Sequence, residues 1–187
     1  MVELFNEFPY LEDDKIVIRK MQEADVEDLA EITENENVYK YIPPFLFKKS
    51  KGNLLAAIRN LGGRDFDKKK LIIAGIYLKS EENKLIGLAE IFDYKKRANR
   101  VTIGYRLNEE YWHQGIATKT VKLVVEYLTK RIGINTLIAY VMPENIYSTK
   151  VLLANGFTRE DYTKEEHNWG GNEHVTVDVY KYSIGSL

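Results

Sequence analysis

The chain contains no cysteine among its 187 residues, which excludes disulfides, cysteine nucleophiles and thiolate metal sites. It has only four prolines, and no apolar run is long enough to form a membrane-spanning helix. The first residues have neither a basic start nor a long apolar stretch, so we expect no signal peptide. These absences fit a cytoplasmic protein, and we expect no membrane partner.

The residues that are present are typical of a globular protein, with 44% hydrophobic and 29% charged. The formal net charge of −1 argues against non-specific nucleic-acid binding, so we expect no direct nucleic-acid partner. The charge is uneven, because residues 1–40 carry twelve acids and four bases. A solvated acidic helix face would explain this asymmetry, and ligands with charge of both signs are the alternative.

Hydrophobic periodicity predicts a mixed order of strands and helices without a repeat or a linker, so we expect one domain over 1–187. Strands are predicted at 15–19, 71–78, 85–92, 101–107, 136–142, 157–162 and 175–182, with a loop between the last two. Helices are predicted at 24–34, 50–62, 115–131 and 144–155. We therefore expect an α+β fold whose central mixed sheet, mostly antiparallel and twisted, has about seven strands and helices on both faces.

The most informative segment is a glycine turn at 111–119, between a predicted strand and a predicted helix. Such a turn aims successive backbone N–H groups at one point, which suits phosphate or pyrophosphate. Gly115 and Ala117 would leave room for the anion, and Thr118 could add a hydroxyl donor. A packing turn that needs a small residue is the alternative. The segment matches neither a Gly-x-Gly-x-x-Gly pattern nor a P-loop, so folds that bind nicotinamide or ATP lack support.

The stretch 104–157 resembles the GNAT superfamily of acetyl-CoA-dependent N-acetyltransferases, and in particular its RimJ/RimL-like ribosomal-protein branch. The motifs that carry the resemblance are Gly104-Tyr105, Tyr111-Trp112, Gly115-Ile116-Ala117-Thr118, Asn145-Ile146-Tyr147-Ser148 and Asn155-Gly156-Phe157. A weaker similarity extends it to about 15–182. The wider superfamily has Gln or Arg where this chain has Trp112. This branch commonly has Trp there, which favours the RimJ/RimL-like branch. Trp112 also removes one basic contact to the pyrophosphate, so the backbone amides are left to bind it.

The resemblance implies acetyl-CoA as the co-substrate. The three histidines are scattered without metal-ligand spacing and no cysteine is present, so we expect no metal. The strand ending at Tyr105, Arg106 and Leu107 would separate from the strand at 136–142, and the pantetheine arm would lie in that gap as an extra strand. Asn145 would bond the pantetheine or the acetyl-bearing end, near Ser148. The pyrophosphate would bind the backbone amides of the turn, which are those of Gln114, Gly115, Ile116, Ala117 and Thr118.

The resemblance also implies catalytic candidates. Ser148 would lie near the sulfur as the acid, since the tyrosine that some members use is replaced here by Leu152; a hydroxyl that caps the helix backbone is the alternative. Glu166, four residues before Gly170, would be the base, with Glu165 or His167 as other counterparts.

Glu90 is a second candidate for the base, because an acid inside an apolar strand is costly to bury without a purpose. The alternative for Glu90 is the solvent face of an alternating strand. A base acting through water, or no base, is also open.

The implied reaction is acetyl transfer to a primary amine, on a protein N-terminus or a small molecule, directly in a ternary complex because no cysteine can hold the acetyl group. A non-catalytic CoA sensor or scaffold on the same fold is the alternative, and an unrelated phosphate-binding module is a second one. The aromatic residues at 39–47 would either pack under a loop or form a wall of the acceptor pocket. The acidic first helix, with Glu31, Glu34 and Glu36, would then favour a basic acceptor.

A homodimer is common among proteins of this fold. Three valines of the predicted last strand suit a core or a partner equally well: Val175, Val177 and Val179.

Overall fold

A computed structural model describes residues 2–185, and its centre is an eight-stranded sheet in the order β1-β2-β3-β4-β5-β6-β8-β7. The pairing is antiparallel throughout, except that β5 and β6 are parallel. This confirms the predicted mixed, mostly antiparallel sheet, to which the two-residue strand β1 is an unpredicted addition. The strands are β1 (Leu11–Glu12), β2 (Ile16–Arg19), β3 (Leu71–Leu78), β4 (Lys84–Lys95), β5 (Arg100–Leu107), β6 (Thr136–Val141), β7 (Thr158–Trp169) and β8 (Asn172–Ser183).

Helices flank the sheet close to their predicted positions. The Ser50 side chain accepts a hydrogen bond from the Asn53 amide at 3.3 Å, so it caps the second helix as its sequence suggests. The helices are α1 (Val26–Glu34), α2 (Lys51–Gly62), α3 (Arg64–Asp67), α4 (Ile116–Glu126) and α5 (Ile146–Ala154), and α4 continues into a π-helical turn, Tyr127–Ile132. Short 3-10 turns lie at Glu23–Asp25, Lys79–Glu81, Lys96–Ala98 and Glu109–Tyr111.

Both faces of the sheet are covered, as the sequence predicts. On one face, Leu29 of α1 and Leu54 of α2 are fully buried in the same cluster as Tyr77 of β3. On the other face, α4 is buried through Val121 and Val124. Successive strand residues point to opposite faces, so nearly continuous apolar strands are what a sheet covered on both sides requires. No helix in the described part of the chain has the length and apolar composition that crossing a bilayer requires.

The end of the chain differs from the prediction, because β7 and β8 form one long hairpin. The expected loop between 162 and 175 is wrong: those residues pair from Thr163 with Asp178 to Trp169 with Asn172. The polar composition of 163–169 resembles that of a loop, because every residue of the edge strand β7 is exposed or half-buried. Gly170 and Gly171, at φ +55° and +78°, make the turn.

The valines of β8 belong to the interior of the protein. Val175, Val177 and Val179 are 8%, 0% and 1% exposed. They alternate along the strand and therefore share one face of it. The structure thus decides the question that the sequence leaves open, in favour of a core.

The tip of the hairpin rests on the chain between α1 and α2. The Gly170 amide donates to the Ile42 carbonyl at 3.1 Å, and a Cβ at Gly170 would collide with the Lys40 carbonyl. Beside this bond, Trp169 and Tyr41 pack against a small cluster that contains Met142. The segment 40–42 is therefore tied to the hairpin, and both lie beside the cleft described next.

Candidate active site

A cleft opens inside the sheet where β5 and β6 separate. Their parallel pairing is limited to Arg100 with Thr136, Val101 with Leu137 and Thr102 with Ile138. Beyond those three pairs the two backbones face each other without hydrogen bonds between them. The separation expected from the family resemblance is therefore present.

The cleft leads into a cavity of about 660 Å³. Its walls are the end of β5, the turn before α4, the first turns of α5 and the segment 37–42. Tyr41 lies in the wall, whereas Tyr39 is 3% exposed and donates its hydroxyl to the Phe45 carbonyl at 2.6 Å. The aromatic residues at 39–47 therefore have two different positions. Tyr41 lines the cavity, and Tyr39 packs beneath the loop.

The glycine turn has the geometry of an anion site. Gly115 precedes α4 at φ +76° and no side chain caps the helix, whose backbone bonding starts where the Lys119 amide donates to the Gly115 carbonyl at 3.1 Å. The amides of residues 116–118, which come before that bond, have no acceptor of their own within the helix. A Cβ at Gly115 would meet nothing within 4 Å, so open space lies in front of the turn. These features fit a phosphate group.

Four of the five turn residues predicted to bind the cofactor line the cavity, namely Gly115, Ile116, Ala117 and Thr118. Gln114 lies outside its lining. The Gln114 side chain donates to the Glu110 carbonyl at 3.1 Å. The main-chain carbonyl of Gln114 accepts from the Lys15 ammonium at 3.2 Å. Gln114 therefore stabilises the turn through these two bonds.

Ser148 and Tyr105 meet across the cavity, with 3.0 Å between their hydroxyl oxygens. The cap of α5 is Asn145, whose Oδ1 accepts from the Ser148 amide at 3.3 Å. The Ser148 hydroxyl is therefore not a helix cap, and it faces the cavity as the catalytic hypothesis requires. Burial raises the pKa of Tyr105, although the hydrogen bond with Ser148 opposes the shift, so Tyr105 holds its proton at neutral pH. The pair can donate a proton to an atom in the cavity.

Glu90 is buried in an ion pair. Its carboxylate accepts from Arg106 Nε at 2.5 Å, and the two side chains are 12% and 3% exposed. The solvent-face alternative for Glu90 is therefore wrong. Burial opposes the charge of Arg106, but Glu90 and the Tyr39 hydroxyl together outweigh this effect and raise the pKa of the guanidinium.

Arg106 connects that pair to the cavity wall. Its Nη1 donates to the Phe45 carbonyl at 3.0 Å, and its guanidinium lies 5.2 Å from the centroid of the Tyr39 ring. Arg106 and its neighbour Leu107 line the cavity, but Glu90 does not. Glu90 therefore touches the site only through Arg106, which also anchors the segment before α2.

Glu166 lies on β7, opposite Val175, and its carboxylate pairs with the Lys164 ammonium at 2.6 Å. It is outside the cavity lining, as are its two alternatives. Glu165 accepts from the Thr176 hydroxyl at 2.8 Å, and the His167 ring packs edge-on against His174. The structure thus brings the predicted acid to the cavity but leaves every candidate carboxylate for the base outside its wall.

The acids of α1 and of the residues just after it lie outside the cavity wall. Glu31 pairs with Lys84 at 3.2 Å and Glu36 with Lys48 at 2.5 Å. Neither these two nor Glu34 lines the cavity. The carboxylate in the wall is Glu109, and hydrogen bonds from Asn35 and Asn37 lower its pKa. Three of the acids, Glu27, Glu31 and Glu34, are exposed on α1, as a solvated helix face predicts.

Several lining residues are absent from the sequence prediction. Three of them, Tyr147, Lys150 and Val151, share one face of α5, with Ala154 one turn further on. Their i, i+3, i+4, i+7 spacing is a signal that could have found them. The others have no such signal, because the fold alone brings them to the cavity: Asn37, Lys40, Glu109 and His113.

Comparison with known proteins agrees with this geometry. The sequence pattern of the acetyltransferase (GNAT) domain matches residues 15–158. The uncharacterized N-acetyltransferase YoaA of Bacillus subtilis is 26% identical over 177 residues, which is 95% of this chain and 97% of YoaA.

Solved structures share the fold. RimL, a ribosomal L7/L12 alpha-N-protein acetyltransferase in complex with coenzyme A, superposes with a TM-score of 0.80 at 18% identity, covering 94% of this chain and 98% of that one. The microcin C7 self-immunity acetyltransferase MccE, in complex with acetyl-CoA and AMP, gives 0.80 at 19% identity, covering 92% and 94%. The two structures hold their CoA ligands on the same fold as this chain.

Proposed function

We propose, from the premise that this chain belongs to the GNAT acetyltransferase family, that it transfers an acetyl group from acetyl-CoA to a primary amine. The observation that carries the proposal is a single cavity that joins an uncapped helix start at Gly115 to the hydroxyl pair of Ser148 and Tyr105. A thioester that carries phosphate groups needs an anion site for the phosphates and, in the same cleft, a proton donor for its sulfur. The open edges of β5 and β6 between them suit an extended amide chain.

In this reaction the protein mainly positions the two reactants and transfers protons. The amine nitrogen forms a bond to the thioester carbonyl carbon, the carbon–sulfur bond breaks, and the electron pair of that bond leaves with sulfur. We propose that Ser148 supplies the proton to that sulfur and that Tyr105 supports it through their hydrogen bond. We propose direct transfer in a ternary complex, a mechanism that is supported by the absence of any cysteine to hold the acetyl group.

The positions of the candidate carboxylates favour a mechanism in which no side chain acts as the base. Glu90 is held by Arg106 and Glu166 by Lys164, and neither lines the cavity. We therefore propose that the amine loses its proton to water and that Glu90 is a positioning residue, which acts through Arg106.

Removal of the proton donors should slow turnover. Ser148→Ala and Tyr105→Phe should each lower kcat by about 10²-fold, the lower end for general acid catalysis. The KM for acetyl-CoA should change little, because binding rests on the backbone. The double variant should lose little more than the worse single one, since the hydroxyls act as a unit.

The matched control is Tyr180→Phe. Tyr180 and Thr149 form a similar hydroxyl pair, 3.2 Å apart, but outside the cavity lining. Its kcat should stay near that of the wild type. Equal losses in Tyr180→Phe and Tyr105→Phe would reject the catalytic assignment.

The test of the proposed function is thermal unfolding with acetyl-CoA, ATP or NAD at equal concentration, followed by release of free thiol with a panel of amines. At about 100 times its Kd, a ligand adds about 2.7 kcal/mol of stability, which raises Tm by several degrees. We expect this rise with acetyl-CoA alone, and thiol release with at least one amine. A rise with no turnover would favour a CoA sensor, whereas a larger rise with a nucleotide would favour an unrelated phosphate-binding module.

The acceptor is a primary amine on a protein N-terminus or a small molecule. RimL supports the first option by its name as an alpha-N-protein acetyltransferase, and MccE by its name as a self-immunity enzyme is compatible with the second. The amine panel should therefore include peptides with free N-termini as well as small amines.

A further inference from the structure

One face of α5 lines the same cavity as the glycine turn. Tyr147, Lys150, Val151 and Ala154 follow the i, i+3, i+4, i+7 spacing of a single helix face, and all four line the cavity. The spacing of the two walls is fixed at the end of α5, where the Asn155 side chain donates to the Thr118 carbonyl at 3.2 Å. A ligand held at the turn therefore has this face of α5 beside it.

Two rings, one from the turn and one from α5, contact each other at the cavity. His113, in the turn at φ +59°, packs edge-on against Tyr147 with 4.6 Å between ring centroids. Tyr147 is 56% exposed, so this contact lies at the surface and is free to rearrange around a ligand. Both side chains are suited to contact a nucleobase or a ribose.

Lys150 brings a positive charge to the same wall. Its ammonium lies 5.8 Å from the centroid of the Tyr147 ring, and no carboxylate within residues 2–185 forms a salt bridge with it. The contrast with Arg106 and Lys119 is clear, because those cations are paired with Glu90 and with Asp13 and Asp14. An exposed ammonium without an acid beside it is available to an anionic group of the ligand.

We infer that Lys150 binds the 3′-phosphate of the CoA adenosine, while Tyr147 and His113 contact the adenosine itself. The inference rests on the proposed function, because it takes CoA as the ligand. The turn already offers amides of residues 116–118 to the pyrophosphate, and the face of α5 in the same cavity offers one cation to a second phosphate. Lys150 is thus a specificity-determining residue that separates CoA from dephospho-CoA, which lacks only that group.

The test compares the Kd values of CoA and dephospho-CoA by calorimetry at low ionic strength. The wild type should bind CoA about fivefold more tightly, since an exposed ion pair contributes up to about 1 kcal/mol. Lys150→Met should bring the ratio close to one. The preference should also shrink as salt is added, because the pair is exposed.

Two control variants locate the effect. Lys68→Met removes an exposed lysine that is outside the cavity lining, and it should keep the wild-type ratio. Lys40→Met removes another lysine of the cavity wall, and it should keep most of that ratio. Unfolding curves without ligand would check that each variant is folded. We expect this because the replaced side chains are exposed.

The outcomes are distinct from those of the proposed function. Equal Kd values for the two ligands in the wild type, a preference that survives in Lys150→Met, or its loss in Lys40→Met would each overturn the assignment of Lys150 while leaving acetyl-CoA as the co-substrate. Failure of the wild type to bind either ligand would overturn the proposed function, and this inference with it.

Discussion

Replacing Glu90 by leucine should lower the free energy of unfolding by about 3–5 kcal/mol, the usual cost of removing one partner of a buried ion pair. The loss is large because it leaves the Arg106 guanidinium, 3% exposed, without a facing carboxylate. Arg106→Leu should cost a similar amount. The double variant Glu90→Leu/Arg106→Leu should recover most of the loss, since an apolar pair needs no compensation. Denaturant unfolding of the four proteins measures this cycle.

Glu166→Leu is the matched control, because Glu166 also lies on a strand and also pairs with a cation. Its partner Lys164 is 47% exposed, so this pair contributes at most about 1 kcal/mol. A loss below about 1 kcal/mol in Glu90→Leu would show that the pair does not hold this part of the fold. A kcat reduced 10²-fold or more in a stable Glu90→Gln variant, together with loss of the acidic limb of the pH profile, would restore Glu90 as the base, whereas a lower kcat with the same pH profile fits a positioning residue.

Gly115→Ala should weaken acetyl-CoA binding by about 10–100-fold, which corresponds to the loss of one or two charge-assisted hydrogen bonds from the turn. The added methyl group enters the open space in front of the amides, where a Cβ now meets no atom within 4 Å. It should also destabilise the free protein by about 1 kcal/mol, because φ is +76° there. Calorimetric titration with acetyl-CoA and unfolding without ligand separate these two effects.

The chain offers a close control in Gly171→Ala. Gly171 has φ +78° and equally open surroundings, but it lies at the tip of the β7–β8 hairpin, outside the cavity lining. The two variants should lose similar stability, and only Gly115→Ala should lose affinity. Equal affinity of both variants for acetyl-CoA would show that the turn is not the phosphate site.

Local signals in the sequence were sufficient for most of the fold. The apolar runs at 71–78 and 101–107 and the Ser50 cap identify their elements because each depends on neighbours along the chain. Both strands of the β7–β8 hairpin are predicted, but local signals do not give their full length for the same reason. The polar residues 163–169 become a strand only because β8 lies beside them, and pairing across a turn leaves no apolar pattern on an edge strand.

The candidate site shows the same division between local and long-range information. The glycine turn and Ser148 stand out in the sequence, because the turn needs particular residues at adjacent positions. The contact between Ser148 and Tyr105, 43 residues apart, depends on how α5 packs against β5. The Glu90–Arg106 pair cannot be predicted from the sequence either. The alternation of apolar and polar residues along β4 is the same for an acid that faces solvent and for one whose partner lies on the next strand.

The separation of β5 and β6 has a consequence for how such a protein changes over evolution. Past Thr102 and Ile138 the cleft presents main-chain donors and acceptors, which every residue except proline supplies in full. A recognition surface made of backbone survives the replacement of nearly any side chain along it. Sequences can therefore drift far apart while the cleft persists.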